Sequence, residues 1–499
     1  MPDRLFELIG KMSGTEKSHF RKFGFKSLHG GQAEQNLFEI IREGQRKNVA
    51  DLDIYVKERY AMTGRKDLIR MRARLFASLL NSISDHQRSK HDIHQFSSIL
   101  LQSRVLIEKG LFKDARKTLR KGLRLAREQQ KPQWEAILAK EMSFIETRQG
   151  THADILKTID HQLNSLKQSE QLTQLARCYE LAFHTQRTMG LQREDKEQLA
   201  IKLREIESQA DQIDLTDCVP AAHFNRIMIR QIIAHTLTDT ESALRHTEEA
   251  FQFVRKYPEM TIGRPQLPVA LLSNLINDGL SSQQFQYYHT YIDVLKSWPA
   301  TETTVKRFAT GQLFRTEANA ALYFGEFHRW KEFIEQLSNL SSDQLLPHVR
   351  WAQYGQLLHM MHANSDIRIC IKETNKLLHE TKDIPRQDLV TNLEILLAIC
   401  HYELENFTTA AQILHSAQSR SSLKNQFSES EKLVMATLKK LMNSAEYERK
   451  GILRSAAKVL SKHMLKPIGF FNPSIWVRAK AEEKTYAEVF KVAHGINCR

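Results

Sequence analysis

Glycine and proline are scarce in this chain. Its 499 residues include 19 Gly and 11 Pro, about 4% and 2%, against roughly 7% and 5% in average proteins. Few residues of these two types mean few tight turns and few helix breaks, which argues against a sandwich or barrel of short strands. The frequent Leu, Ala, Glu, Lys, Arg and Gln are good helix formers. The sequence therefore predicts an all-α protein.

Long apolar runs are also missing. The longest, at Val269–Leu272 and Leu393–Cys400, are far shorter than the ~20 residues that a membrane-spanning helix needs. The first residues mix acids with bases and have no apolar core, so they do not resemble a signal peptide. These features predict a cytoplasmic protein with no membrane segment.

Cysteines are few, and none lie close together in the sequence. A sparse, odd-numbered set without a secretory signal is typical of reduced thiols. The five are Cys178, Cys218, Cys370, Cys400 and Cys498. Cys178, Cys370 and Cys400 lie on apolar helical faces, where we expect them to serve as packing residues and not as ligands.

Charge is unevenly distributed along the chain. The net charge is +14, with 72 Lys and Arg against 58 Asp and Glu. Residues 1–130 hold 27 of the basic residues and 15 of the acidic ones, an excess of 12. The remaining residues are therefore nearly neutral. This asymmetry indicates that an acidic partner would bind near the N-terminal end.

Turn signals recur along the middle of the chain, each between two apolar-periodic segments. Their spacing averages about 42 residues, which indicates an array of helical hairpins. The predicted turns lie at Gly110 and near Gly150, Gly190, Thr238, Gly279, Gly325, Asn364 and Glu405.

The best two copies share one pattern after the turn. Phe112, Ala115, Leu119 and Gly122 are repeated, with the same spacing, by Phe407, Ala410, Leu414 and Ala417. This pattern resembles the tetratricopeptide repeat. The copy after Gly325 departs from it because Trp330 stands where a small residue is expected. The period also departs from the family's 34 residues. The resemblance implies a right-handed α-solenoid of about eight degenerate hairpins, in which the first helix of each pair lines a concave groove.

The two ends of the chain do not follow the repeat. Residues 1–90 predict a basic helical module that begins with a capping box at Ser13 and Glu16 and continues in helices near residues 34–45, 51–60 and 66–83. Residues 421–499 predict a helical cap with a helix start at Asn472, and with Ile475, Trp476 and Phe490 as apolar anchors. The repeat array would fill residues 91–420, since solenoids need atypical end units.

The start of the chain is also similar to a group of uncharacterised bacterial repeat proteins. The similarity consists of a short leader, here Ser13, Glu16, Lys17 and Phe20. It implies a cytoplasmic helical repeat protein and brings no activity with it.

A stripe of basic residues follows Gly110. At 100° per residue its members fall within about 140° of helix arc, opposite the apolar side. This basic stripe consists of Lys113, Arg116, Lys117, Arg120, Lys121, Arg124 and Arg127. Arg70 and Arg74 share a face of an earlier helix. A solvated outer face and a surface for an anionic partner are both consistent with these patterns.

No motif of a catalytic, phosphate-binding or cofactor-binding site is present. His359 and His362 are three residues apart, as are His91 and His94, but neither pair has a third metal ligand at helical spacing. The sequence predicts no enzyme activity, no cofactor and no metal.

We therefore expect a protein- or peptide-binding scaffold, with Gln102, Ser103, Asn319 and Glu394 among the groove residues. An acidic protein surface would suit the basic stripe. The alternative is a nucleic-acid-associated regulator with a basic N-terminal region and a ligand-responsive repeat domain. The stripe has no aromatic residue, Asn or Gln to contact bases, so such binding would be directed at the backbone.

Overall fold

The computed structural model describes residues 4–24, 32–42, 65–87, 92–192, 196–262, 264–299, 302–340, 344, 347–380, 387–420, 429–461 and 471–496. Every regular element in this part of the chain is helical, and it contains no β-strand. The all-α prediction is confirmed. The predicted helix near residues 51–60, His91 and Cys498 lie outside the described residues.

The chain is organised as two compact units. Unit 1 comprises Met1–Ala126 and Trp134–Gln162, and unit 2 comprises Arg127–Gln133 and Leu163–Arg499. The predicted domain limits at residues 90 and 420 are not tested by this division and stay predictions.

The first eight α-helices begin in unit 1 or at its edge. They are α1 Arg4–Lys11, α2 Gly14–Phe23, α3 Gln32–Arg42, α4 Arg65–Gln87, α5 Asp92–Glu108, α6 Phe112–Glu128, α7 Pro132–Gln149 and α8 His152–Gln192.

Fifteen further helices of the described chain belong to unit 2. They are α9 Lys196–Gln212, α10 Pro220–Thr236, α11 Thr240–Lys256, α12 Leu267–Ser281, α13 Gln286–Lys296, α14 Thr303–Tyr323, α15 Trp330–Asn339, α16 Pro347–Ala363, α17 Ile367–Glu380, α18 Gln387–Glu403, α19 Phe407–Arg420, α20 Glu429–Met442, α21 Glu446–Leu460, α22 Pro473–Glu482 and α23 Tyr486–Ala493.

The start of unit 1 has its own apolar core. Leu5, Phe20, Phe38 and Leu75 from α1–α4 are buried together. The predicted capping box is present, because the Ser13 hydroxyl accepts from the Glu16 N–H while Glu16 accepts from the Ser13 N–H. Helices α5–α7 build a second core around Phe96, which stacks on Trp134.

One backbone turn recurs through the array. Its central residue has positive φ and donates to the carbonyl three residues back, while the next residue donates to the carbonyl five residues back. This is the Schellman ending of a helix. In the described part it occurs at Gly110, Thr238, Gln283, Gly325, Ser365, Glu405 and Gly495.

From Thr238 to Glu405 successive turns are ~40 to 45 residues apart, which is the spacing of a hairpin array. The fifth, ninth and twelfth residues after these turns face the core. At the fifth position Ala115, Ala243, Cys370 and Ala410 are all buried. The array is therefore helical and repeat-like.

Trp330 occupies the same fifth position without disrupting the array. A 3₁₀ turn at Phe327–Arg329 precedes it, so α15 begins only at Trp330. The indole is buried, and its Nε1 donates to Asp366 Oδ2 at 2.7 Å. The large residue is accommodated because the helix start is shifted.

Two of the glycines that marked predicted turns lie inside helices. Gly279 is inside α12, and the turn falls at Gln283. A Cβ on Gly279 would lie 2.6 Å from the Tyr287 Cβ, so this glycine permits close helix packing. Gly190 is inside α8, which continues to Gln192. A single glycine costs a helix only about 1 kcal/mol, which is too little to break it.

The last two helices pack along the edge of unit 2 where its turns lie. The Trp476 Nε1 donates to Glu403 Oε1 at 2.8 Å, beside the turn at Glu405. Phe490 contacts Phe327 with ring centroids 5.5 Å apart, next to the turn at Gly325. The predicted helix start is present, since the Asn472 side chain caps α22. These two helices therefore cover this edge of unit 2.

Candidate functional site

The basic stripe lies on α6 and is exposed over most of its length. Among the exposed side chains, those of Lys113, Lys117, Arg120 and Lys121 have no ion-pair partner in the described structure. Arg124 and Arg127 are exposed as well. The opposite side of α6 is buried through Ala115, Leu119, Gly122 and Ala126. The predicted two-sided helix is thus present.

Arg116 differs from the rest of the stripe. Its Nε and Nη2 donate to the two carboxylate oxygens of Glu146 at 3.0 Å and 2.9 Å. The pair is largely buried between α6 and α7, so Arg116 stabilises the packing of these helices.

Arg70 and Arg74 lie on α4 and are both exposed. The Arg74 Nη2 lies 2.9 Å from Glu34 Oε1, a carboxylate that is itself buried beneath α4. Arg74 is therefore partly neutralised, whereas Arg70 has no ion-pair partner in the described structure. The structure does not join these two residues to the basic stripe by any contact it describes.

Unit 1 also exposes apolar side chains on the first helices of its hairpins. Leu101 and Val105 on α5 are 61% and 54% exposed, and Ile137 and Phe144 on α7 are 41% and 42% exposed. An ion pair joins these two faces, with Arg104 Nη2 2.6 Å from Glu141 Oε1. Arg104 lies within one helical turn of Leu101 and Val105, and Glu141 lies within one turn of Ile137 and Phe144. We call this surface the apolar face.

The four predicted groove residues have different environments. Gln102 is exposed and donates to Ser98 Oγ at 3.2 Å. Ser103 is fully buried, and its hydroxyl donates to the Leu100 carbonyl, so it packs between helices and does not line a groove. In unit 2, Asn319 is half-buried and Glu394 is buried. Of the four, Gln102 is the one whose side chain is open to a partner.

A polar ladder joins α12 to α14 in unit 2. Asn274 accepts from Arg315 at 3.4 Å and Asn277 accepts from Asn319 at 2.5 Å, across 41 and 42 residues of sequence. Ser281 and Tyr323 form a third rung at 2.9 Å, again 42 residues apart. Offsets this similar mean that equivalent or adjacent positions of successive repeats pair. The ladder pairs polar side chains of the two neighbouring helices and fixes their register.

Asp278 extends this polar layer towards α10 and α11. Its carboxylate accepts from the Thr247 hydroxyl at 2.6 Å and lies 3.3 Å from His235 Nε2. Burial alone would lower the pKa of His235, but the hydrogen bond and charge of Asp278 raise it. The sequence did not predict this layer. The one signal for it is the presence of polar residues within otherwise apolar helices.

His359 and His362 face the C-terminal helices. His359 Nε2 lies 2.9 Å from the Tyr486 hydroxyl, and His362 Nε2 lies 3.5 Å from Glu403 Oε2. Burial alone would raise the pKa of Glu403, but His362 and Lys480 lower it to about 2. The rings of Phe471 and Tyr486 stack on each other and contact both histidines edge to face. This pair thus forms a packing contact between the array and α23.

Cys370 and Cys400 come together in the core of unit 2. Both are fully buried, and their sulfur atoms are 3.8 Å apart. Cys178 is buried as well. The prediction that these three cysteines pack in apolar surroundings is confirmed, although 30 residues separate the close pair in sequence.

Within the described residues, no group of three or more His, Cys, Asp or Glu is placed to hold a metal ion. None of the helices that the structure describes is both long enough and apolar enough to cross a membrane. Comparison with protein-family models, with curated proteins and with solved structures finds no match to this chain.

Proposed function

We propose that this protein is a non-enzymatic scaffold that binds a helical segment of a partner protein on the apolar face of unit 1. The proposal includes the tetratricopeptide-like class, the right-handed solenoid and the count of about eight hairpins, which the sequence pattern supports. The observation that carries it is the exposure of Leu101, Val105, Ile137 and Phe144 on the two helices joined by the Arg104–Glu141 pair.

The shape of this surface favours a helix as the bound segment. Residues of an amphipathic helix at positions i, i+3, i+4 and i+7 form one apolar side, which suits a face contributed by two adjacent helices. Lys140 is exposed beside Ile137, and the Arg148 guanidinium stacks 3.4 Å from the centre of the Phe144 ring. Two positive charges next to the apolar residues favour a segment with acidic flanks.

A display selection tests the proposal although the partner is unidentified. The full-length chain is used to select from a library of helix-forming peptides. We expect recovered sequences with apolar residues at helical spacing and with acidic flanks. Binding should be lost in the double variant Leu101→Asp and Phe144→Asp, because each new carboxylate would be desolvated against an apolar partner.

The matched control changes exposed apolar residues of unit 2. Tyr447→Asp with Val459→Asp alters α21, where both side chains are exposed, and should leave peptide binding unchanged. Selected peptides that bind the first double variant as well as the unmodified chain would refute the proposal.

A further inference from the structure

Four residues of the basic stripe form a straight row along α6. Lys113, Lys117, Arg120 and Arg124 fall within about 60° of helix arc at 100° per residue. At 1.5 Å per residue the row is about 16 Å long. All four side chains are exposed. We call these four residues the basic row.

The burial of the opposite face holds the basic row in place. Ala115, Leu119 and Ala126 are fully buried against α5 and α7. Arg116 fixes α6 to α7 through both oxygens of Glu146. The row is thus presented on a rigid element, and little order has to be gained when an anion binds.

The composition of this face distinguishes between classes of partner. Every exposed residue of α6 is charged, and none is apolar or aromatic. Protein interfaces are depleted in Lys and depend on buried apolar or aromatic anchors, which are missing here. Single-stranded nucleic acids are held largely by stacking on aromatic rings, which are also missing. A duplex requires only cations at regular intervals along its phosphates.

We propose that the basic row binds the phosphate backbone of a nucleic-acid duplex and does not read its sequence. One strand rises 3.4 Å per nucleotide, so a row about 16 Å long spans about five phosphates. The exposed face offers no Asn or Gln to contact base edges, and we assign its Lys and Arg side chains to phosphates, so binding is independent of base order. This activity goes beyond the binding of a protein segment, because it uses α6 and does not use the apolar face.

The test is a titration of the full-length chain into a fluorescent duplex of about 20 base pairs and mixed sequence. Four phosphate contacts predict a slope of about −3.6 for the logarithm of the affinity against the logarithm of salt concentration. Affinity should therefore fall about 150-fold between 50 and 200 mM salt. A second duplex of unrelated sequence should bind equally well.

The decisive variant is Lys113→Gln with Lys117→Gln. It should weaken binding about tenfold or more and make the slope shallower by about two units, because two phosphates lose their cation. The matched control is Lys372→Gln with Lys376→Gln on α17. It also removes two exposed lysines four residues apart and should leave both quantities unchanged. Helix content and thermal midpoint, measured for each variant, confirm that neither change unfolds the chain.

Three results would overturn the proposal. The first is no duplex binding at 50 mM salt. The second is equal weakening by the α6 and α17 variants, which would show that only net charge matters. The third is binding to vesicles rich in phosphatidylserine but not to the duplex, which would assign the basic row to a membrane surface. Peptide binding by the apolar-face double variant is measured separately and does not affect these three results. Either proposal can therefore fail while the other stands.

Discussion

Four of the seven Schellman turn residues carry side chains although their backbone is left-handed. They are Thr238, Gln283, Ser365 and Glu405, whereas glycine stands at Gly110, Gly325 and Gly495. A left-handed residue with a Cβ costs roughly 1–2 kcal/mol relative to glycine. Replacing such a residue by glycine should therefore increase the stability of the array.

Replacing Glu405 by glycine should stabilise unit 2. Its φ is 60° and its side chain is exposed, so Glu405→Gly relieves strain without removing packing. We expect a gain of about 0.5–1 kcal/mol in unfolding free energy after the added freedom of the unfolded chain is subtracted. Urea denaturation measures it.

The inverse replacement is the control. Gly110 has φ 73°, and a Cβ added to it would have nothing within 4 Å. Gly110→Ala should therefore lose about 1 kcal/mol from backbone strain alone. If both variants shifted stability in the same direction, the turn conformation would not be the cause.

At the residue scale, the sequence predicts the buried positions of the repeat but not every turn or side-chain pairing. The alternation of small and large residues identifies Ala115 and Leu119 as buried, because helical periodicity alone determines which side they occupy. The Glu146 partner of Arg116 could not be predicted, since the pairing depends on how α7 lies against α6. The turn predicted near Gly279 lies four residues later, at Gln283, because Gly279 permits a close approach to Tyr287, and that approach depends on tertiary packing.

At the scale of elements, the C-terminal helices α22 and α23 depend on buried contacts with the array. His494 directly follows α23, and the centres of its ring and the Phe490 ring are 4.5 Å apart. The His494 Nε2 is buried without a hydrogen-bond partner. Burial lowers the pKa of His494 to about 4. The protonated form is therefore disfavoured in the folded protein.

Acidification should weaken this contact. Between pH 6.5 and pH 4 the unfolded chain binds a proton at His494 that the folded chain does not, so stability falls as the pH drops through this window. Above pH 6.5 His494 is neutral in both the folded and the unfolded chain, so it causes no further change in stability. Because the ring is partly accessible, we expect a loss of about 1 kcal/mol, below the full conversion of the shift.

The variant His494→Gln should show a smaller loss of stability between about pH 7 and about pH 4.5 than the unmodified chain, as measured by urea denaturation. His379→Gln changes an exposed histidine of α17 and should behave like the unmodified chain. An unchanged pH profile in His494→Gln would show that this histidine is not the titrating group.

The elements themselves were predictable where local sequence determines them. The capping box at Ser13 and the helix start at Asn472 depend on adjacent residues, and both are present. The polar ladder and the close approach of Cys370 to Cys400 depend on which helices become neighbours. No local pattern contains that information.

At the scale of the molecule, repeat arrays are stabilised mainly by contacts between neighbours. Leu119 and Leu414 occupy the same ninth position after their turns, one in each unit, and both are fully buried. Replacing either by alanine should cost about 2–5 kcal/mol through loss of packing and formation of a cavity. The two variants have the same chemistry at two distant places in the sequence.

Hydrogen exchange should show that each effect stays local. Leu119→Ala should accelerate exchange in α5–α7 and leave α16–α19 unchanged, and Leu414→Ala should do the reverse. If either variant accelerated exchange evenly over the whole chain, the protein would unfold as one cooperative unit.

Some contacts at the C-terminal edge of unit 2 can form only late in synthesis, because their partners are far apart in the sequence. The hydrogen bond from Gln283 to the His494 carbonyl spans 211 residues, and the contact of His359 with Tyr486 spans 127. At about 5–20 residues per second, a ribosome needs roughly 10–40 s after Gln283 to complete the partner. During that interval Phe327 and His359 lack the aromatic side chains of α23. A nascent chain is therefore most prone to association in this interval, and a message cut short before Phe471 would prolong it indefinitely.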